Sequence, residues 1–172
     1  LLLCSILGAT LFMAAAGRSL EIYFIDVEGG QSTLIVTPQG ESLLVDTGFK
    51  GQGFSDTETD RGRDARRIIA AFRDAGLKRL DYLLITHFHA DHVGGITDVA
   101  AQIPIDTFID HDVPHEDSDK AVSIGTMAAF KEYAAVRARG RRHIIAKPGD
   151  RIPLKGIEAT VVSSAGKVLG KA

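Results

Sequence analysis

Between residues 20 and 46 the apolar positions fall into three short runs divided by turn-forming residues. Glu21-Ile22-Tyr23-Phe24-Ile25-Asp26-Val27, Ser32-Thr33-Leu34-Ile35-Val36-Thr37 and Ser42-Leu43-Leu44-Val45 are separated by Glu28-Gly29-Gly30-Gln31 and Pro38-Gln39-Gly40-Glu41. Such runs with tight turns predict three strands in an antiparallel meander. The period then changes. Ala65, Ile68, Ile69 and Phe72 recur at three- and four-residue spacing, which predicts a helix over 63–74 with one buried face and Gly76 as its stop. Arg66, Arg67 and Arg73 fall mainly on its other faces and read as solvated. Leu80-Asp81-Tyr82-Leu83-Leu84-Ile85 is a buried strand, followed by a short helix over 97–101 and a strand over 103–110. A longer helix, over about 120–139, carries Met127, Phe130 and Ala134 on its apolar face. Strand and helix alternating in this way imply a parallel stretch of sheet covered by helices. His143-Ile144-Ile145-Ala146 and residues 156–162 read as strands that open a second sheet. The polar stretch 49–60 reads as a surface loop bordering this frame.

Composition adds a class and a compartment. The 172 residues, with a net charge of −2, indicate one soluble α/β domain or a large piece of one, with no general attraction to nucleic acid or anionic membrane. Arg137, Arg139, Arg141 and Arg142 cluster at a predicted helix end without interleaved aromatics, so they are not a clear nucleic-acid surface. The chain opens with an apolar run, residues 1–13, that ends in Ala14-Ala15-Ala16-Gly17, a small-residue pattern of the kind signal peptidase cuts. A membrane-spanning helix needs about 20 apolar residues. We therefore read residues 1–16 as a signal peptide truncated at its start and residues 20–172 as the domain, periplasmic or secreted, with no transmembrane segment after signal removal. Cys4 is the only cysteine, so metal binding in the domain falls to histidine and carboxylate.

The chemistry concentrates at the end of the strand over 80–85, in Thr86-His87-Phe88-His89-Ala90-Asp91-His92 followed by Val93-Gly94-Gly95. In an extended segment alternate side chains share a side, so His87, His89 and Asp91 would converge while His92 points elsewhere. That arrangement suits two neighbouring metal ions, His87 and His89 facing the first and Asp91 with His92 beginning the second. Two such ions can hold and acidify a bridging water. Asp110 and His111 end the next strand, where ligands of parallel sheets collect. His111, His115, Glu116 and Asp117 are accordingly candidates for lining a cleft, and none is read as a metal ligand.

The His-x-His-x-Asp-His string, with residues 22–27, Leu43-Leu44-Val45-Asp46-Thr47-Gly48 and residues 80–95, resembles the metallo-β-lactamase superfamily. The resemblance implies an α/β fold, the αββα sandwich, of which this chain would hold the N-terminal half to two-thirds. It implies a hydrolase that uses a metal-bound hydroxide and takes two Zn²⁺ per full-length chain, with iron or manganese possible at related sites. His87, His89, Asp91 and His92 would be ligands, Asp91 also a catalytic proton shuttle, and Asp46 a brace behind the metal loop. The substrate would be a small molecule or a phosphoester. Competence-type members carry Gly-Gln-Gly-Asp where this chain has Glu28-Gly29-Gly30-Gln31; kinship with that branch makes a phosphodiesterase or nuclease the enzymatic alternative, and the altered turn opposes it. A non-catalytic metal-binding or degenerate domain is the third reading. In the superfamily the remaining ligands come from the later half of the domain, and no segment after Ala146 resembles them. The 172-residue chain alone is therefore expected to be inactive.

Overall fold

The structure, a computed structural model, describes residues 18–51, 62–114 and 123–170. The signal-peptide reading of residues 1–16, and His115, Glu116 and Asp117, lie outside the described residues. Three strands form the expected meander: β1 (Glu21–Phe24), β2 (Thr33–Val36) and β3 (Ser42–Val45), each antiparallel to the next. The chain then crosses over through α1 (Arg63–Asp74) to β4 (Leu80–Leu84), which runs parallel to β3. Two short helices, α2 (Ala90–Val93) and α3 (Ile96–Ala100), lead to β5 (Ile105–Asp110), and α4 (Ser123–Arg137) leads to β6 (Arg142–Ile145). The result is one six-stranded sheet in sequence order, antiparallel in its first half and parallel in its second.

Cross-strand partners share a face of the sheet, and here they sort cleanly. Tyr23, Leu34, Leu44, Leu83 and Phe108 are in register from β1 to β5. They meet Ile68, Ile69 and Phe72 of α1, Ile96 and Val99 of α3, and Tyr133 and Val136 of α4 in one buried cluster. Removing an aliphatic or aromatic side chain of this kind from water stabilises the fold by about 1.5–3 kcal/mol, so this face supplies most of the cohesion. The opposite face carries Phe24, Thr33, Val45, Leu84, Ile109 and Ile144 in register. Ile109 is buried there, whereas Phe24 is 85 % exposed.

Two readings of the C-terminal segment are corrected. Residues 143–146 were expected to open a second sheet, but β6 adds to the first, because the chain crosses over through α4 and returns parallel to β5. The expected strand over 156–162 shrinks to β8 (Ala159–Thr160), paired with β7 (Arg151–Ile152); β9 (Ser163–Ser164) and β10 (Lys167–Val168) form another small ladder. This segment is tied back to the main sheet, where the Tyr82 hydroxyl donates to the Pro153 carbonyl at 3.0 Å and the Lys155 amide donates to Glu41. Among the described residues no helix is long and apolar enough to cross a membrane.

Candidate metal centre

The histidine loop, residues 86–92, leaves β4 with its backbone fixed from below. The Ile85 amide donates to the Ile109 carbonyl at 2.9 Å, and Ile85 is buried. Asp46 follows β3 directly and has φ of 58°, a left-handed conformation that Asp tolerates better than most residues. This bend turns a fully buried carboxylate toward the loop, where it accepts from the Thr86 amide at 2.8 Å, the Thr86 hydroxyl at 2.6 Å and His92 Nδ1 at 2.8 Å. An ionised carboxylate only accepts, so His92 Nδ1 donates to it, and in the neutral imidazole the lone pair is then on Nε2. The same logic passes through Thr86. Its one hydrogen goes to Asp46, so its oxygen accepts from His87 Nδ1 at 3.2 Å, and in the neutral His87 ring the lone pair is likewise on Nε2. One buried carboxylate thus sets two tautomers. The hydrogen bond to Asp46 also raises the His92 pKa, opposed by burial and assisted by the charges of Asp46 and Asp91.

The three imidazoles lie together. The His87 ring centroid is 4.5 Å from that of His89 and 3.9 Å from that of His92. This corrects the extended reading of the loop, in which His92 was to point elsewhere. A helical turn begins at Ala90, closed by amides of His92 and Val93 donating to the His89 carbonyl at 3.0 Å, and it carries His92 back to Asp46 and His87.

Neighbouring turns hold the loop at close quarters. The Gln31 amide donates to the Asp91 carbonyl at 3.2 Å, and the Gly95 amide to the Gly48 carbonyl at 3.0 Å. A Cβ on Gly30 would stand 2.2 Å from the Asp91 carbonyl oxygen, and one on Gly95 would stand 2.2 Å from that of Thr47. Glycine at both places is a condition of this approach.

Among the described residues no group of three or more His, Cys, Asp and Glu side chains stands in an arrangement that holds a metal ion. The donor chemistry nevertheless fits one. His92 Nε2 and Asp91 Oδ2 are 3.6 Å apart, close to the separation of about 3.4 Å between two tetrahedral zinc ligands at about 2.1 Å. His87 and His89 add two imidazoles beside this pair.

His111 stands beside the loop, at the carboxyl end of β5. With Thr86, Asp110, Ser163, Ser164 and Lys167 it lines a cavity of about 510 Å³ at the carboxyl ends of β4 and β5. Its ring stands 4.7 Å from Phe88, the residue between His87 and His89, and its Nδ1 donates to the Val113 carbonyl at 3.0 Å. Sequence reasoning missed what Asp110 does. Its buried carboxylate turns to the helical side and accepts from Tyr133, Arg137 and His143. A polar residue ending an apolar strand was the one available signal.

Residues 25–164 match the family model described as Metallo-beta-lactamase superfamily. Among solved structures, a HARLDQ-motif metallo-beta-lactamase mutant from Cronobacter sakazakii (Enterobacter sakazakii) is similar at 20 % identity and a TM-score of 0.50, over 80 % of this chain and 48 % of that one. The Rm3 metallo-beta-lactamase is similar at 17 % identity and a TM-score of 0.52, over 83 % of this chain and 49 % of that one. The chain therefore spans about half the length of the solved structures it matches. No curated protein matches it.

Proposed function

The chain belongs to the metallo-beta-lactamase superfamily, and from that premise we propose that its protein is a zinc-dependent hydrolase whose metal loop is residues 86–92. The observation that carries this reading is the Asp46 carboxylate, which accepts from His92 Nδ1 and from the Thr86 hydroxyl, whose oxygen lies 3.2 Å from His87 Nδ1; in the neutral rings this leaves the Nε2 lone pairs as the metal donors. Metal-binding histidines are commonly oriented in this way by a carboxylate or carbonyl behind them. His87 and His89 would hold one ion, and Asp91 and His92 a second. Zinc, when bound, supplies Lewis acidity and lowers the pKa of water; iron or manganese would suit the same donors less selectively.

The chain's own residues supply the rest. Asp91, whose Oδ2 lies 3.6 Å from His92 Nε2, would take a proton from the attacking water and return it to the leaving group. The cavity beside Thr86 and His111 has apolar walls in Leu84, Ile85, Val161 and Val168, and it suits a small ester, amide, lactone or phosphoester. The apolar run and small-residue site in residues 1–16 favour a periplasmic or secreted location.

The test is a panel of esters, lactones, lactams and phosphodiesters against the full-length protein. We expect turnover of at least one class, abolished by chelation and restored by Zn²⁺, with Asp91→Asn lowering kcat/KM by about 100-fold or more. Hydrolysis indifferent to both chelator and Asp91→Asn would contradict the proposal.

A further inference from the structure

The hydrolytic reading leaves unused a buried carboxylate of unusual connectivity. Asp110 is 2 % exposed, and four donors converge on it: the Tyr133 hydroxyl at 2.5 Å, the Arg137 guanidinium at 2.9 Å, His143 Nε2 at 2.9 Å and the Asp112 amide at 2.7 Å. Burying a carboxylate is costly unless charge and hydrogen bonds compensate it, and here they do. Holding α4 and β6 to the end of β5 would be sufficient reason for such a cluster. Two further contacts give it a direction.

The first runs through Tyr133. Its ring is fully buried and lies 5.6 Å from Phe88, which is itself fully buried and sits between His87 and His89 in the metal loop. The second runs through the turn at 110–112. Asp110 captures the Asp112 amide, Asp112 adopts φ of 80°, and His111 is seated against Phe88 at 4.7 Å. One carboxylate therefore places a ring from α4 and a ring from the β5 loop against the same side chain. With Phe88 held, the directions of its two neighbours are held as well, because consecutive residues share one backbone.

We propose that Asp110 and Tyr133 are positioning residues for the metal loop, setting through Phe88 where His87 and His89 stand and hence how tightly the loop takes a divalent ion. The inference rests on the metallohydrolase reading above. Its test uses the full-length protein stripped of metal. Zn²⁺ affinity is measured by chelator competition, the visible spectrum of the Co²⁺ form is recorded, and the unfolding midpoint of the metal-free protein is followed in parallel. Tyr133→Phe keeps the ring and removes the bond to Asp110. We expect it to weaken Zn²⁺ binding by about 10-fold or more and to shift the Co²⁺ spectrum. Tyr82→Phe, which loses a hydroxyl bond elsewhere on the sheet, should change neither. If Tyr133→Phe lowers the unfolding midpoint while Zn²⁺ affinity and Co²⁺ spectrum match wild type, the cluster only anchors α4 and the inference is overturned. Should Tyr133→Phe not fold, His143→Ala removes a different bond to the same carboxylate and carries the same two outcomes. A wild type that binds no Zn²⁺ would instead overturn the metallohydrolase reading first, which is a distinguishable result.

Discussion

Asp46 carries more of the local geometry than any histidine it touches. Three donors from the histidine loop end on its buried carboxylate, and its left-handed backbone is one that Asn also tolerates. Asp46→Asn should therefore fold, yet its NH₂ cannot accept from Thr86 or His92. We expect Zn²⁺ affinity to fall about 10- to 100-fold, and unchanged affinity by chelator competition would dismiss the brace. Gly30→Ala drives a methyl group to within 2.2 Å of the Asp91 carbonyl oxygen. Overpacking of this kind costs about 1–3 kcal/mol, readable as a lower urea midpoint. The histidine motif was legible in sequence because it is local. The direction of His92 was not, since a turn of helix at Ala90 replaces the extended backbone that alternation assumes. Tyr133 and Arg137 left no trace either, because they meet Asp110 across 23 and 27 residues of chain.

At the level of elements, the junction of β5, α4 and β6 is sensitive to acid. Burial pushes the Asp110 pKa up, but the bonds from Tyr133, His143, Arg137 and the Asp112 amide outweigh it and hold the group below the usual carboxylate range. A depressed folded pKa means that this stabilisation is complete above the unfolded value of about 3.9 and is lost as pH falls through the folded one. The urea midpoint should thus drop below about pH 4, and Asp110→Asn should flatten that drop; an identical pH profile in the variant would argue against it. α1 is the clearest case of sequence dictating an element. The spacing predicted a helix over 63–74, and the helix observed is Arg63–Asp74, with Ile68, Ile69 and Phe72 buried as expected. Ile68→Ala should cost about 2–5 kcal/mol in an unfolding titration. α4 was harder to read. Of Met127, Phe130 and Ala134, the apolar face expected from spacing, Phe130 packs against the core and Phe88 but all three stay partly exposed, and among the described residues of α4 the buried ones are Thr126, Tyr133 and Val136, because Asp110 draws the Tyr133 side toward the sheet.

The molecule as a whole is asymmetric about its sheet. Helices seal one face, and at β1 the other leaves Phe24 85 % and Ile22 47 % exposed. Exposed apolar side chains of this kind favour association. We expect the 172-residue chain, expressed alone, to bind a hydrophobic dye, and Phe24→Ser to reduce that binding without lowering the unfolding midpoint; no change in binding would mean that this face is covered in solution. The order of strands and the helical layer could be read from alternating patterns. The fate of β6 could not, because an apolar strand looks the same whether it extends one sheet or begins another, and only the α4 crossover decides. The sheet and its helices carry one loop of three histidines and an aspartate, proposed above as a metal centre, so metal content is the measurement that bears most directly on that proposal. Metal should be counted on the full-length protein beside a His87→Ala/His89→Ala variant. The account predicts about two zinc ions per chain, lost in the variant. No specifically bound metal on the wild type would contradict it and leave these histidines a structural role.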